Sequence, residues 1–108
     1  MNKALSVMGL ARRAGKLNWG YDTAVEVMKT GNCSLMLTAG DLSDKTKKNV
    51  RFEAERCGVP YIETAFTIEE ISAAIGKKAG VIAICDGGFA KKLIQELGAA
   101  GEREELRI

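Results

Sequence analysis

Histidine is absent from these 108 residues. With it go the side chain that titrates most readily near neutral pH and the usual base of nucleophilic triads. An enzyme here would have to be built on carboxylates, lysines, cysteine or a cofactor. Cysteine is scarce as well. Cys33, Cys57 and Cys85 are odd in number, far apart and without a CxxC pair, which argues against both a disulfide framework and a zinc site. They read as reduced thiols, mostly small buried apolar residues. Neither sign of charge dominates: 16 Lys and Arg against 14 Asp and Glu leave +2, so only clustering of the cations could make a nucleic-acid binder. Long apolar runs are missing too. Arg12 and Arg13 arrive before a signal-peptide core could form, and nothing approaches the roughly 20 apolar residues that span a bilayer. The cytoplasm is the expected location, with no membrane partner.

What is present matches one globular domain over residues 1–108, with 46% hydrophobic and 28% charged residues. Leu5, Met8 and Ala11 recur at helical spacing behind a candidate N-cap, Asn2, and Gly15 ends that helix. Tyr21, Ala24, Val25 and Met28 mark a second helix, with Asp22 in its first turn and Gly31 after its last. Leu35–Ala39 reads as a strand buried on both faces. From Ser43 to Cys57 a narrow stripe of Thr46, Val50, Ala54 and Cys57 faces inward. Asp44, Lys45, Lys47, Lys48, Arg51 and Arg56 take the outer face. Val59–Ile62 is a second strand, Thr67–Glu70 a capping box opening a helix to Gly76, and Val81–Cys85 the most apolar strand. Phe89, Ala90, Leu93, Ile94 and Leu97 form a last amphipathic helix, followed by a charged tail from Gly98 to Ile108 that frays or stays helical. Helices alternating with strands predict an α/β fold. Its expected form is a three-layer α/β/α sandwich with a mainly parallel central sheet of about four strands.

Three places could carry chemistry. The turn Cys85-Asp86-Gly87-Gly88-Phe89 could cradle the phosphate of a nucleotide-binding enzyme but matches neither standard phosphate-loop pattern. The cations from Lys45 to Arg51 read as a solvated helix face unless they converge on one groove. The third is a set of loops expected at one end of the sheet. It comprises Lys16, Asn18, Trp19, Gly20, Tyr21, Asp22 and Thr23 entering the second helix, then Gly40 and Asp41, then Gly76, Lys77 and Lys78. Glycines there allow close backbone approach, the helix start offers free amides to phosphate, and Trp19 and Tyr21 could stack on unpaired bases.

The residues Gly9-Leu10-Ala11-Arg12-Arg13-Ala14-Gly15-Lys16-Leu17, then Gly20, Gly31, Gly40-Asp41, Cys57-Gly58-Val59-Pro60-Tyr61 and Asp86-Gly87-Gly88-Phe89-Ala90-Lys91-Lys92 stand in a telling order and spacing. They resemble bacterial members of the L-seven-Ae/L-thirty-e ribosomal protein superfamily across nearly the whole chain. The resemblance implies an α/β/α sandwich that binds structured RNA, often at kink-turns, without catalysis, cofactor or metal. Its implied partners are structured RNA, ribosomal RNA among them, and ribosomal proteins, met by a monomer. Kink-turn binders of this superfamily carry Gly-x-Asn-Glu-x-x-Lys where this chain has Gly20-Tyr21-Asp22-Thr23-Ala24-Val25-Glu26. Asp22 lacks the amide donor, Thr23 lacks the carboxylate and Glu26 reverses the charge, so an altered or relaxed RNA preference is expected. The alternative is a protein-interaction module on the same fold that has lost RNA binding.

Overall fold

Helix boundaries in the structure, a computed structural model that describes residues 2–99 and 106–107, follow local chemistry. Helix α1 (Lys3–Arg13) is capped by Asn2, whose side chain accepts from the Ala4 N–H at 2.7 Å. A three-residue strand β1 (Leu17–Trp19) leads to α2 (Tyr21–Lys29), then β2 (Leu35–Thr38). Helix α3 (Asp44–Cys57) starts under a Ser43 cap and stops at Gly58 in the left-handed conformation. Strand β3 (Tyr61–Glu63) is followed by α4 (Ile68–Ile75), opened by the Thr67–Glu70 capping box and closed by left-handed Gly76. Strand β4 (Val81–Ile84), helix α5 (Gly87–Ala99) and strand β5 (Leu106–Arg107) complete the order. Helix α5 therefore includes Gly98 and Ala99, and Leu106–Arg107 pairs with β3. The remainder of the charged tail lies outside the described residues.

The sheet runs β1-β4-β2-β3-β5, and strand alternation divides the apolar residues between its faces. Leu35, Leu37, Ile82 and Ile84 meet α1, α4 and α5 through Leu5, Met8, Ile71, Ile75, Leu93 and Leu97. Met36, Tyr61, Val81 and Ala83 meet α2 and α3 through Ala24, Met28, Val50 and Ala54. Two helical layers thus enclose the sheet, the expected α/β/α sandwich.

The expectation of a mainly parallel sheet is corrected. Only β2 and β3 run parallel; β1–β4, β2–β4 and β3–β5 are antiparallel. The cause lies in the connection through α4. Gly40 N–H donates to Phe66 O and Ala39 N–H to Gly80 O, both at 2.8 Å. The chain therefore leaves β3 and re-enters as β4 at one and the same end of the sheet, and the second strand must run back. Two smaller expectations also change. Lys47 does not face outward: its ammonium donates to Gly40 O and Glu63 Oε2, both at 2.9 Å. Cys57, expected in the inward stripe, is exposed, whereas Cys33 and Cys85 are partly buried, and all three thiols are free.

Candidate nucleic-acid interface

Strands β1, β2 and β3 all point the same way, so the helices that follow them, α2, α3 and α4, begin at one end of the sheet. Each helix start carries partial positive charge and unbonded amides. Two of the three are already satisfied. Ser43 caps α3, accepting from Thr46 N–H at 3.2 Å. Thr67 caps α4, where Asp41 also accepts the Ile68 N–H at 2.8 Å. Helix α2 differs. Its N-cap is Gly20, held at φ 94° with no capping side chain and with its N–H on Val81 O at 2.9 Å. No capping side chain claims the first-turn amides of Tyr21, Asp22 and Thr23, so of the three helix starts this one is left uncapped, with Asp22 in its first turn.

Two cations stand over the neighbouring indole. The Arg12 guanidinium lies 4.8 Å from the Trp19 ring centroid and the Lys77 ammonium 5.8 Å, both within the range of cation–π attraction. Trp19 is partly buried against the α1/α4/α5 core and, with Asn18 and Thr23, lines a small depression of about 170 Å³ beside the start of α2. The Gly76–Gly80 loop that presents Lys77 is tied back to its own helix. Ser72 Oγ accepts from Ala79 N–H at 3.0 Å and donates to Ala79 O at 3.3 Å. Lys77 and Lys78 therefore sit exposed on a braced loop, along an open cleft of about 730 Å³ that Asp41, Ile68, Glu69 and Gly76 also line.

The structure brings Trp19, Gly20, Tyr21, Asp22, Thr23, Gly76, Lys77 and Lys78 to this end, with Asp22 and Thr23 exposed. It does not bring Lys16. The Lys16 carbonyl accepts from Cys85 N–H at 2.8 Å, which puts Lys16 at the opposite end of β1, about 10 Å of strand away from Trp19. Gly40 and Asp41 reach the right end but have structural duties. A Cβ on Gly40 would lie 2.8 Å from Thr64 O, and the Asp41 carboxylate is engaged at α4. The Asn18 amide turns inward, 3.3 Å from Cys85 Sγ. In the glycine turn after β4, the Asp86 carboxylate accepts Phe89 N–H at 2.9 Å, taking an amide that a phosphate would need. Among the described residues no group of three or more Cys, Asp or Glu could hold a metal ion. Sequence reasoning missed Arg12. Helical periodicity shows that it lies beside a buried face, but only the antiparallel β1 places an indole beneath it.

Comparison with known proteins gives the same architecture an ancestry. The chain is 39% identical over 90 residues to the RNA-binding protein YlxQ of Enterococcus faecium, covering 83% of this chain and 86% of that one. It is 35% identical over 92 residues to RNA-binding protein YlxQ of Bacillus subtilis, covering 84% and 91%. Large ribosomal subunit protein eL30 of Yarrowia lipolytica is 26% identical over 94 residues, covering 83% and 84%. A protein of unknown function from Bacillus halodurans superposes with TM-score 0.86 at 29% identity, over 91% of this chain and 99% of that one. The Giardia lamblia 15.5kD RNA binding protein shares the fold, with TM-score 0.73 at 17% identity over 88% and 84%. The model of the ribosomal protein L7Ae/L30e/S12e/Gadd45 family matches residues 2–94, and the chain belongs to that family.

Proposed function

We infer that this chain is a noncatalytic RNA-binding protein that grips structured RNA at the end of the sheet where α2 begins. The observation that carries the reading is the uncapped start of α2 beside Trp19, with Lys77 and Arg12 over the indole, in a relative of proteins named for RNA binding. Phosphate would take the free amides and Lys77 and Lys78, contacts that position an RNA without reading its sequence. Tyr21, exposed at the start of α2, would supply stacking. Trp19, packed on the core under Arg12 and Lys77, would hold those cations in place. Asp22, Thr23 and Glu26, all exposed, replace the superfamily's Asn, Glu and Lys, so tandem G·A pairs of a kink-turn lose their usual partners. The preference is therefore relaxed toward other folded RNAs, with ribosomal RNA the leading candidate. On this reading the protein works as a monomer in the cytoplasm. Its relatives' names favour RNA over a protein partner.

The test is a gel-shift series with a kink-turn RNA, the same RNA with its G·A pairs disrupted, and a plain duplex. The first two should bind within about fivefold of each other, since no G·A-specific grip remains to be lost. In Lys77→Glu/Lys78→Glu the slope of log affinity against log salt should shrink by roughly two, one per lost phosphate contact. An unchanged slope and affinity in that variant would remove the loop from the interface.

A further inference from the structure

The five cations of α3 are sorted by the structure into two sets. Lys47 and Arg51 turn toward Glu63 at the sheet, 2.9 and 3.8 Å away. Lys45, Lys48 and Arg56 stay on the outer face with Asn49 and Phe52. These five outer residues are spaced i, i+3, i+4, i+7 and i+11, which places them within about a 100° sector of the helix, opposite the buried Val50 and Ala54. At the centre of the sector is Phe52, 57% exposed, an unusual place for a large aromatic side chain. The Arg56 guanidinium stands 5.8 Å from its ring centroid and also pairs with Glu53 at 3.4 Å. Lys45 and Lys48 have no carboxylate within ion-pair distance among the described residues. Helix α3 holds five basic and three acidic side chains, so its surplus equals the +2 of the whole chain. The surface is a stripe about 17 Å long, positive along Lys45, Lys48 and Arg56 and bordered on one side by exposed Asp44 and Glu55, with one free aromatic face. That combination suits a single strand of nucleic acid, whose backbone meets cations while its bases stack on exposed rings.

We propose that the outer face of α3 is a second RNA-binding surface, where Phe52 stacks an unpaired base of a single-stranded segment and Lys45, Lys48 and Arg56 contact its phosphates. It lies on the α2/α3 layer and shares no residue with the interface at the start of α2. A structured RNA held at that end could therefore be followed along its single-stranded flank by α3.

Fluorescence anisotropy with a labelled uridylate dodecamer tests this on the full chain. Phe52→Ala should weaken binding about tenfold, the worth of one stacked base. Phe52→Leu, which keeps the bulk and apolarity but not the π-face, should weaken it nearly as much. Lys45→Gln/Lys48→Gln should weaken it and flatten its salt dependence, while Lys91→Gln/Lys92→Gln, an equal change in charge on exposed α5 residues outside both surfaces, leaves the dodecamer's affinity within twofold. All the substituted side chains are exposed, so unchanged thermal midpoints should confirm intact folds. The proposal is overturned if wild type does not bind the dodecamer, if the Lys91/Lys92 variant loses as much affinity as the Lys45/Lys48 variant, or if Phe52→Leu binds like wild type. It is equally overturned if polyglutamate competes as well as the RNA, because the stripe would then be a patch for anions of any kind. Binding of a folded RNA, measured in the same variants, reports separately on the interface at α2.

Discussion

At the scale of single residues, the buried titratable groups predict how the fold responds to base. Burial pushes the Cys33 thiol up from 9.0 to about 11. Tyr61 also rises, because burial outweighs its hydroxyl contact with Thr38 at 2.6 Å, and Lys47 rises through its hydrogen bond to Glu63. All three act in one direction. Below pH 9 folded and unfolded chains hold the same protons on Cys33. Between 9 and 11 the unfolded chain releases that proton while the native state keeps it, so stability falls as pH rises, by about 2 kcal/mol in all. Tyr61 and Lys47 extend the loss above pH 10. Denaturant midpoints taken from pH 8 to 11 should decline in wild type, and Cys33→Ala should be flat between pH 9 and 10. A Cys33→Ala series with the wild-type slope in that window would assign the loss elsewhere. None of this was legible in the sequence, where Cys33 and Cys57 look alike. One ends half-covered against the α2/α3 core and the other in solvent.

At the scale of elements, the caps were readable and the strand directions were not. Asn2, and Thr67 with Glu70, announce helix starts because a side-chain oxygen three or fewer residues from the first turn is a local signal. Strand β1 carries only three residues between Gly15 and Gly20, too few for alternation to show, and it reads as a link. The direction of β4 depends on where the Gly76–Gly80 loop returns, a tertiary property absent from any window of sequence. The same division governs the site. Trp19, Gly20 and Lys77 could be named in advance, while Arg12 could not, and Lys16 and Trp19 look adjacent in sequence yet face opposite ends of the sheet. The caps also separate stability from binding. Thr67→Ala removes the α4 cap and should cost about 1 kcal/mol, lowering the thermal midpoint by about 4–8 °C. RNA affinity should be unchanged, since Asp41 still accepts the Ile68 N–H and the open start of α2 is untouched. Gly20→Ala, forced to adopt φ 94°, ψ 147° with a side chain, should both destabilise the fold by about 1–3 kcal/mol and weaken RNA binding. A Thr67→Ala variant with reduced RNA affinity would place α4 in the interface.

At the scale of the whole molecule, a formal charge of +2 cannot draw RNA from a distance, so affinity must come from where the cations stand. Three helices start at the end that holds Lys77 and Lys78, while α5 starts at the other end, after β4, with exposed Lys91 and Lys92 near its first turn. The molecule measures 33 × 26 × 24 Å, whereas charges are screened over about 8 Å at physiological ionic strength. The two ends are therefore electrically independent in the cell and coupled only at low salt, where screening extends to about 30 Å at 0.01 M. Lys91→Glu/Lys92→Glu and Lys77→Glu/Lys78→Glu make identical changes in net charge. At physiological salt the first should bind structured RNA within about twofold of wild type and the second at least tenfold more weakly. At 0.01 M both should weaken. Equal losses at physiological salt would mean that total charge, and not the convergence of α2, Trp19 and the Lys77–Lys78 loop at one end of the sheet, governs the encounter with RNA.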